Sequence, residues 1–255
     1  VAATPGKPDE LGAALALHSL AEATRYCLLG ASAGLVTAPI GKAQLAKVGF
    51  EYPGQTEFLA EVCGLAPDEA VMMLAGPSLR AVPLTVHCAL ADVPGRLSQE
   101  RITRRVRIVA AALAHDFGIA DPRIAVCGLN PHAGENGRFG DEEARIIAPA
   151  IETLVAEGIA VTGPHPADAL FTPRARQTYD AALAMYHDQA LVPLKALDFD
   201  EGVNVTLGLP IGRTSPDHGT AFDIAGRGLA EPGAMIAALK MAGEIAARRK
   251  HAHTG

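Results

Sequence analysis

The sequence has no tryptophan, and aromatic residues make up only 4% of the chain. Proteins that bind single-stranded nucleic acid stack its bases on aromatic side chains, and few are available here. Positive charge is also scarce, because 22 lysines and arginines stand against 28 aspartates and glutamates and leave a net charge of −6. The composition therefore gives no electrostatic or stacking reason to expect nucleic acid as a partner.

Long apolar runs are missing as well. No uninterrupted run reaches the length that crosses a membrane, and the N-terminus has neither the charged nor the apolar region of a signal peptide. We therefore expect a cytoplasmic protein without a membrane partner. Cysteine is sparse and widely spaced, with no close pair typical of a zinc ribbon or a redox dithiol, and the four positions are Cys27, Cys63, Cys88 and Cys127. Buried free thiols are expected.

Two nucleotide-binding signatures are absent from the sequence. No Gly-x-Gly-x-x-Gly motif opens a helix after the first predicted strand, and there is no Walker loop. A nucleotide cofactor, if one is used, is therefore not held by the usual dinucleotide fingerprint.

What the chain does contain is an alternation of helix-like and strand-like segments. Its 255 residues, 49% of them hydrophobic, suffice for one large α/β domain or for two that share a cleft. The predicted helices are 9–29, 97–117, 141–157 and 232–248, and the predicted strands are 34–37, 71–75, 81–86, 123–127, 158–162, 181–186 and 203–207. Apolar strands alternating with amphipathic helices predict a largely parallel sheet covered on both faces.

Three histidines follow strand-like runs directly: His87, His132 and His187. Each alone is more simply interpreted as a structural or surface histidine. Their repeated placement, however, suits one shared site, because loops at the strand ends of an open α/β sheet gather around a ligand. Three neutral imidazoles also suit a transition metal or zinc with an open coordination position.

Three blocks of sequence carry a resemblance to a known family. They are 129–135 (Leu-Asn-Pro-His-Ala-Gly-Glu), 186–189 (Tyr-His-Asp-Gln) and 213–226, which begins Arg-Thr-Ser-Pro-Asp-His-Gly-Thr-Ala. In this order the chain resembles the 4-hydroxythreonine-4-phosphate dehydrogenases of pyridoxal 5′-phosphate biosynthesis, from about residue 10 to about residue 245.

The resemblance implies a fold like that of isocitrate and isopropylmalate dehydrogenases, with two α/β subdomains around a central cleft. Residues 1–255 then form one catalytic unit of interleaved subdomains, working as a homodimer. It also implies a divalent metal, Zn, Mg, Mn or Co, bound by His87, His132 and His187 across the dimer interface. The implied reaction is oxidation of a secondary alcohol by NAD or NADP to a β-keto acid, which loses carbon dioxide to give 3-amino-2-oxopropyl phosphate.

The resemblance assigns further residues to the site. Substrate binding falls on Gln55, Thr56, Lys195, Asn204 and Arg213, and catalytic roles fall on Asp188 and Lys195, with Asp168 near the metal or substrate and Lys42 in a family motif without an assigned role. Hydroxyl, ammonium, amide and guanidinium donors together suit a phosphate. Thr56 is also interpreted as the N-cap of a helix beginning at Glu57.

Two departures from the family pattern stand out. Gln55 replaces the histidine of a Gly-His-Thr-Glu motif, so this position offers a neutral amide instead of a group that can become cationic. The family's N-terminal segment, with its first strand and a Gly-Asp-Pro loop, has no counterpart before Val1. We therefore expect a truncated chain and an exposed sheet edge.

Other functions remain open at this stage. A paralogue could oxidise another metal-chelating alcohol, such as a four-carbon sugar-acid phosphate or a dihydrodiol carboxylate. A phosphate acyltransferase would share the layout without needing the histidines, and a catalytically silent, metal-stabilised dimer would keep them. Metal content and NAD reduction distinguish these functions.

Overall fold

The computed structural model describes residues 4–252, and within them eight strands form one sheet with helices on both faces. The strands are β1 (Leu35–Val36), β2 (Val71–Ala75), β3 (Arg80–Pro83), β4 (Ile124–Cys127), β5 (Val161–His165), β6 (Ala181–Ala184), β7 (Val203–Leu207) and β8 (Arg213–Pro216). The helices are α1 (Glu10–Leu28), α2 (Lys42–Ala46), α3 (Gln55–Val62), α4 (Val93–Arg96), α5 (Gln99–His115), α6 (Ala148–Ala156), α7 (Ala167–Leu170), α8 (His187–Asp198) and α9 (Gly233–Ala252). Residues 1–3, on which the signal-peptide prediction partly rests, lie outside this range.

The strand order is β1-β8-β7-β2-β3-β6-β4-β5. Four of the neighbouring pairs are parallel, and each of the three antiparallel pairs, β2–β3, β2–β7 and β7–β8, includes β2 or β7. The largely parallel sheet predicted from the sequence is thus confirmed. Strands β3, β6 and β4 are adjacent and parallel, so their carboxyl ends meet at one edge of the sheet.

Successive side chains of each strand point to opposite faces of the sheet, and both faces carry a hydrophobic core. On one face the core is built from β-strand residues and the stripe of α5 comprising Ile102, Val106, Val109 and Leu113, all essentially inaccessible to solvent. Ser98 caps this helix, accepting a hydrogen bond from the Arg101 amide at 3.1 Å. Burial of each large apolar side chain stabilises the fold by about 1.5–3 kcal/mol, which anchors α5 against the strands that carry the site.

Three local features differ from the sequence predictions. Strand β5 was expected at 158–162 but spans Val161–His165, because an edge strand tolerates the glycine and proline at 163 and 164. Helix α3 begins at Gln55 with Gly54 as its N-cap, so the interpretation of Thr56 as the cap is wrong. The predicted helix 141–157 opens with a π-helical turn at Glu143–Ile147 before α6.

All four cysteines are free, with Cys27 and Cys127 buried and the other two partly exposed. Burial raises the pKa of the Cys127 thiol to about 12, so this residue is an inert part of the core. Among the described helices, none combines the length and the apolar character that a membrane span requires.

Candidate active site

A cavity of about 700 Å³ opens at the edge where β3 and β6 end. Most of the residues assigned to the site from the sequence line it: His87, His187, Lys195, Asn204, Arg213, Gln55, Thr56 and Lys42. A cavity of this size accommodates a small phosphorylated molecule together with part of a larger ligand.

Two of the three histidines lie side by side at the cavity. His87 follows β3, His187 is the first residue of α8 after β6, and their ring centroids are 6.4 Å apart. Gln189 fixes the turn between β6 and α8, because its Oε1 accepts from the Met185 amide at 2.7 Å and its Nε2 donates to the Gly128 carbonyl at 2.9 Å. This side chain ties the turn that carries His187 to the end of β4.

The two rings have different surroundings. Burial lowers the pKa of His87 below its ordinary value, and the nearby Lys42 ammonium lowers it further, against a smaller opposing effect of Glu57. Nδ1 of His187 lies 2.6 Å from Oδ1 of Asp188. A proton shared with that carboxylate leaves Nε2 as the free lone pair, the arrangement that orients a histidine ligand.

His132 is placed differently. It follows β4 at the same sheet edge, but its side chain is exposed, does not line the cavity and lies 6.1 Å from the Phe139 ring between centroids. The exposed Asp168, on α7 beside the same turn, does not line the cavity either. Among residues 4–252, no three His, Cys, Asp or Glu side chains converge closely enough to hold a metal ion.

The backbone around His132 is strained and held from behind. Four residues here adopt left-handed conformations: His132, Ala133, Glu135 and Asn136, with φ values of 53°, 51°, 42° and 56°. The buried Glu143 carboxylate holds this segment, accepting from the Asn130 amide at 2.7 Å and from its side chain at 3.1 Å. Strain of about 1–3 kcal/mol per residue persists only where the surroundings impose it, and it concentrates at functional sites.

Arg213 is the buried charge of the site. Its side chain donates to three neutral groups: Thr206 Oγ1 at 3.0 Å, Thr37 Oγ1 at 2.7 Å and Gln55 Oε1 at 3.0 Å. No carboxylate pairs with it among the described residues, and burial lowers its pKa to about 10. The buried Nε has no hydrogen-bond partner, so the guanidinium retains both a charge and a donor for an anion.

Gln55 helps to hold the Arg213 side chain in place. While its Oε1 accepts from Arg213, its Nε2 donates to the Ala38 carbonyl at 3.2 Å. An imidazolium in its place would have no acceptor for Arg213, whereas a neutral imidazole would keep one. Gln55 also opens α3, whose N-cap Gly54 provides no side-chain cap, so first-turn amides face the cavity without a side-chain partner.

Two further polar atoms at the cavity are buried without a partner, Asn204 Oδ1 and Glu57 Oε2. Both are acceptors, so they call for a donor on the ligand. Lys195 is not free, because its Nζ lies 3.1 Å from Oδ2 of Asp217. The walls therefore offer a cation and acceptors in separate places, which suits a ligand carrying both an anionic group and hydroxyl or ammonium donors.

Several lining residues were not predicted from the sequence: Glu57, Asp217, Arg96, Arg101 and Arg105. The available signal for Glu57 and Asp217 was their position inside motifs assigned to the site. Arg101 and Arg105 had a weaker signal, because the helix dipole disfavours cations in the first turns of α5, and Arg96 at the end of α4 had none.

Comparison with known sequences places this site in context. A family model described as pyridoxal phosphate biosynthetic protein PdxA matches residues 1–242. A protein of Erythrobacter litoralis called 4-hydroxythreonine-4-phosphate dehydrogenase is 70% identical over 248 residues, covering 97% of this chain and 74% of the relative. The chain thus spans about three quarters of the length of that relative.

The fold of this chain is also similar to that of solved structures. A 4-hydroxythreonine-4-phosphate dehydrogenase from Klebsiella pneumoniae superposes with a TM-score of 0.87 at 43% identity, covering 96% of this chain and 74% of the other. A terephthalate 1,2-cis-dihydrodiol dehydrogenase from Burkholderia xenovorans superposes with a TM-score of 0.71 at 31% identity, with coverages of 94% and 76%. An isocitrate dehydrogenase from Methylococcus capsulatus, at 15% identity and a TM-score of 0.51, covers 86% of this chain and 70% of the other and shares the fold.

Proposed function

This chain belongs to the PdxA family of pyridoxal phosphate biosynthetic proteins, and on that premise we propose that it oxidises the secondary alcohol of 4-hydroxy-L-threonine 4-phosphate. The enzyme is a dehydrogenase acting on a CH–OH group, and NAD or NADP accepts the two electrons. The product is a β-keto acid that loses carbon dioxide to give 3-amino-2-oxopropyl phosphate.

One observation carries the choice of a phosphorylated substrate: the buried Arg213 guanidinium with neutral partners and an unused Nε–H. An isolated buried cation is costly unless an anion reaches it. Charge-assisted hydrogen bonds from a guanidinium to a phosphate are about twice as strong as neutral ones. The phosphate binds here in the proposed complex, next to the first turn of α3 and to Thr56.

A divalent metal fits the donor set at the other side of the cavity. His87 and His187 supply two imidazoles from one chain, and His132 of the partner subunit is the proposed third ligand. Imidazole donors suit Zn or Co better than Mg or Mn. When bound, the metal lowers the pKa of the substrate hydroxyl and stabilises the developing alkoxide.

The remaining residues position the substrate and hold protons. Asp188 holds the proton on Nδ1 of His187 and thereby orients the ring. Lys195, whose Nζ lies 3.1 Å from Oδ2 of Asp217, lines the cavity and is the proposed catalytic group for the step that follows the loss of carbon dioxide. Asn204 Oδ1 accepts from a hydroxyl or ammonium of the substrate.

A homodimer completes this site in the proposal. The exposed placement of His132 and Asp168 leaves both available to a second subunit. Helix α8 starts at His187, and the apolar side chains of Val192 within it and of Phe199 directly after it are exposed at 64% and 73%. Burial of these side chains against a second subunit would remove apolar surface from water. We propose that two subunits meet along this region.

The function is tested by NADH or NADPH formation. Purified protein is assayed with 4-hydroxythreonine 4-phosphate, a four-carbon sugar-acid phosphate and a dihydrodiol carboxylate, each with and without a chelator. The expected result is chelator-sensitive turnover with the first substrate. Faster turnover of either of the others would replace the proposed substrate, and activity that survives complete metal removal would contradict the metal assignment.

Shared sites are tested by mixing inactive subunits. When His87→Ala and His132→Ala subunits are refolded or coexpressed in equal amounts, half of the dimers are heterodimers with one intact site each, so about a quarter of the wild-type activity should return. Mixing His87→Ala with His187→Ala is the matched control and should restore nothing, because these two ligands come from the same chain. Recovery in the control mixture, or none in the test mixture, would refute the arrangement.

A further inference from the structure

Three arginines line the same cavity away from Arg213. Arg96 ends α4, and Arg101 and Arg105 lie in the first two turns of α5. We call these three residues the arginine subsite. None of them takes part in the proposed reaction, and none belongs to the motifs that carry the family resemblance.

The arginine subsite has no carboxylate partner among the described residues. Arg101 Nη1 donates to the Arg96 carbonyl at 3.2 Å, and Arg105 Nη1 donates to the Ala70 carbonyl at 3.4 Å. The neighbouring Arg104 differs, because it is paired with Asp68 and with Glu100, the latter at 2.8 Å. The nearby carboxylates thus neutralise the one arginine of this group that does not line the cavity.

Assembling these charges costs free energy in the protein without a ligand. Burial lowers the pKa of Arg105 to about 10, and repulsion from Arg101 and Arg104 adds to the effect. Cations near the N-terminus of α5 also oppose the helix dipole. A cluster that is unfavourable in isolation and open to a cavity is the arrangement that an anion would stabilise.

The arginine subsite is distinct from the Arg213 subsite. Arg105 contacts Ala70 at the start of β2, whereas Arg213 contacts Thr206 on β7, which pairs with Met72. The two guanidinium groups therefore hydrogen-bond to different strands, at positions two residues and one strand apart, roughly 8 Å between backbones. The arginine subsite is thus a second cationic region of the same cavity.

We propose that the arginine subsite binds a second phosphate group carried by a reactant. Planar guanidinium groups suit a phosphate or diphosphate, to which they donate in pairs. The chemistry is the same whether the group belongs to the dinucleotide or to the phosphorylated substrate. Binding of an anion follows from the arginines alone, and only the assignment to a reactant rests on the proposed function.

Calorimetric titration with inorganic pyrophosphate tests the subsite without requiring turnover. Arg101→Gln is the first variant, because Arg101 is exposed and its loss should leave the fold intact; Arg105→Lys is the second, since it keeps the charge but loses the planar fork. Each should weaken pyrophosphate binding about tenfold. Arg107→Gln is the matched control on the same helix, because Arg107 is paired with Glu157 and neither residue lines the cavity; its pyrophosphate affinity should stay within about twofold of wild type.

Pyrophosphate binding that is unchanged in both test variants, or weakened equally in the Arg107→Gln control, would overturn the proposal. Steady-state kinetics of Arg101→Gln then identify the source of the phosphate. A raised KM for NAD or NADP alone assigns the subsite to the dinucleotide, and a raised KM for the phosphorylated alcohol alone assigns it to the substrate. If neither KM changes in an active enzyme, no reactant phosphate binds there and the proposal fails. An enzyme that turns over none of the substrates would instead refute the proposed function while leaving the calorimetric result standing.

Discussion

Replacing Gln55 by glutamate should change stability and substrate binding in opposite directions. The present Oε1 lies 3.0 Å from Nη2 of Arg213, so the change places a carboxylate directly against a buried guanidinium that has only neutral partners. Two unit charges about 4 Å apart attract by roughly 4 kcal/mol at an effective dielectric constant of about 20. Loss of the hydrogen bond to the Ala38 carbonyl and desolvation of the carboxylate offset most of this.

The net expectation for Gln55→Glu is a gain of about 1 kcal/mol in the free energy of unfolding. The new carboxyl has a pKa below its unfolded value because Arg213 stabilises its charged form. Its contribution to stability is therefore present above about pH 4.3 and is lost as the pH falls towards the folded-state pKa. Urea unfolding at neutral and acidic pH measures both effects.

Substrate binding should weaken because the new carboxylate occupies the position from which a phosphate is bound. Repulsion and the loss of the guanidinium charge together should raise KM for the phosphorylated substrate about ten- to a hundredfold, equivalent to about 1.4–2.7 kcal/mol. Gln177→Glu is the control, because it adds the same charge at an exposed position that does not line the cavity. An unchanged KM in a stabilised Gln55→Glu protein would show that Arg213 does not bind the phosphate.

Three further predictions concern stability. Gly208→Ala should lower the free energy of unfolding, measured in urea, by about 2 kcal/mol more than Gly158→Ala does. Both glycines have φ near +80° (82° and 84°), but only at Gly208 would the new methyl group collide with a backbone carbonyl. Equal losses in the two variants would contradict this. Asp116→Asn should lower the free energy of unfolding by about 3 kcal/mol in the same measurement, because the buried carboxylate accepts hydrogen bonds from Arg249 at 2.7 and 2.9 Å. A change in this free energy within error of zero would refute the prediction. His165→Gln should reduce the loss of melting temperature between about pH 7 and about pH 5. Burial lowers the pKa of His165, so in this range the unfolded state binds a proton more readily than the folded state does and acid destabilises the fold. An unchanged dependence of melting temperature on pH would exclude His165 as a cause of this destabilisation.

Strands β4 and β6 lie within the predicted ranges, because buried parallel strands appear as continuous apolar runs. Strand β7 also matches its predicted range, although it is antiparallel to both neighbours and contains Asn204 and Thr206. Strand β8 escaped prediction, since Arg213–Pro216 is entirely polar or proline yet buried. The buried Arg213 guanidinium of this strand donates hydrogen bonds to the hydroxyls of Thr37 and Thr206. Contacts between residues on different strands are not visible in a local sequence pattern.

The arginine subsite was hidden for a related reason. Arg101 and Arg105 belong to α5, which lies within the predicted helix 97–117, and charged side chains are expected on the faces of such a helix that do not pack on the sheet. What brings them to the cavity is the antiparallel pairing of β2 with β7, which places the start of β2 beside Thr206. The sequence predicts a largely parallel sheet but not which of its strands run antiparallel, so the position of α5 relative to the site could not follow from it.

His87, His187 and His132 were predicted at one site because each follows a strand, and they do follow strands that end at one sheet edge, since β3, β6 and β4 are adjacent and parallel. The sequence could not show which of the rings meet within a chain, because that depends on the backbone after each strand. His187 enters a helix at once and stays beside His87, whereas His132 lies in a left-handed segment held by Glu143 and faces solvent. In the proposed dimer, this strained segment would present the exposed imidazole to the second subunit.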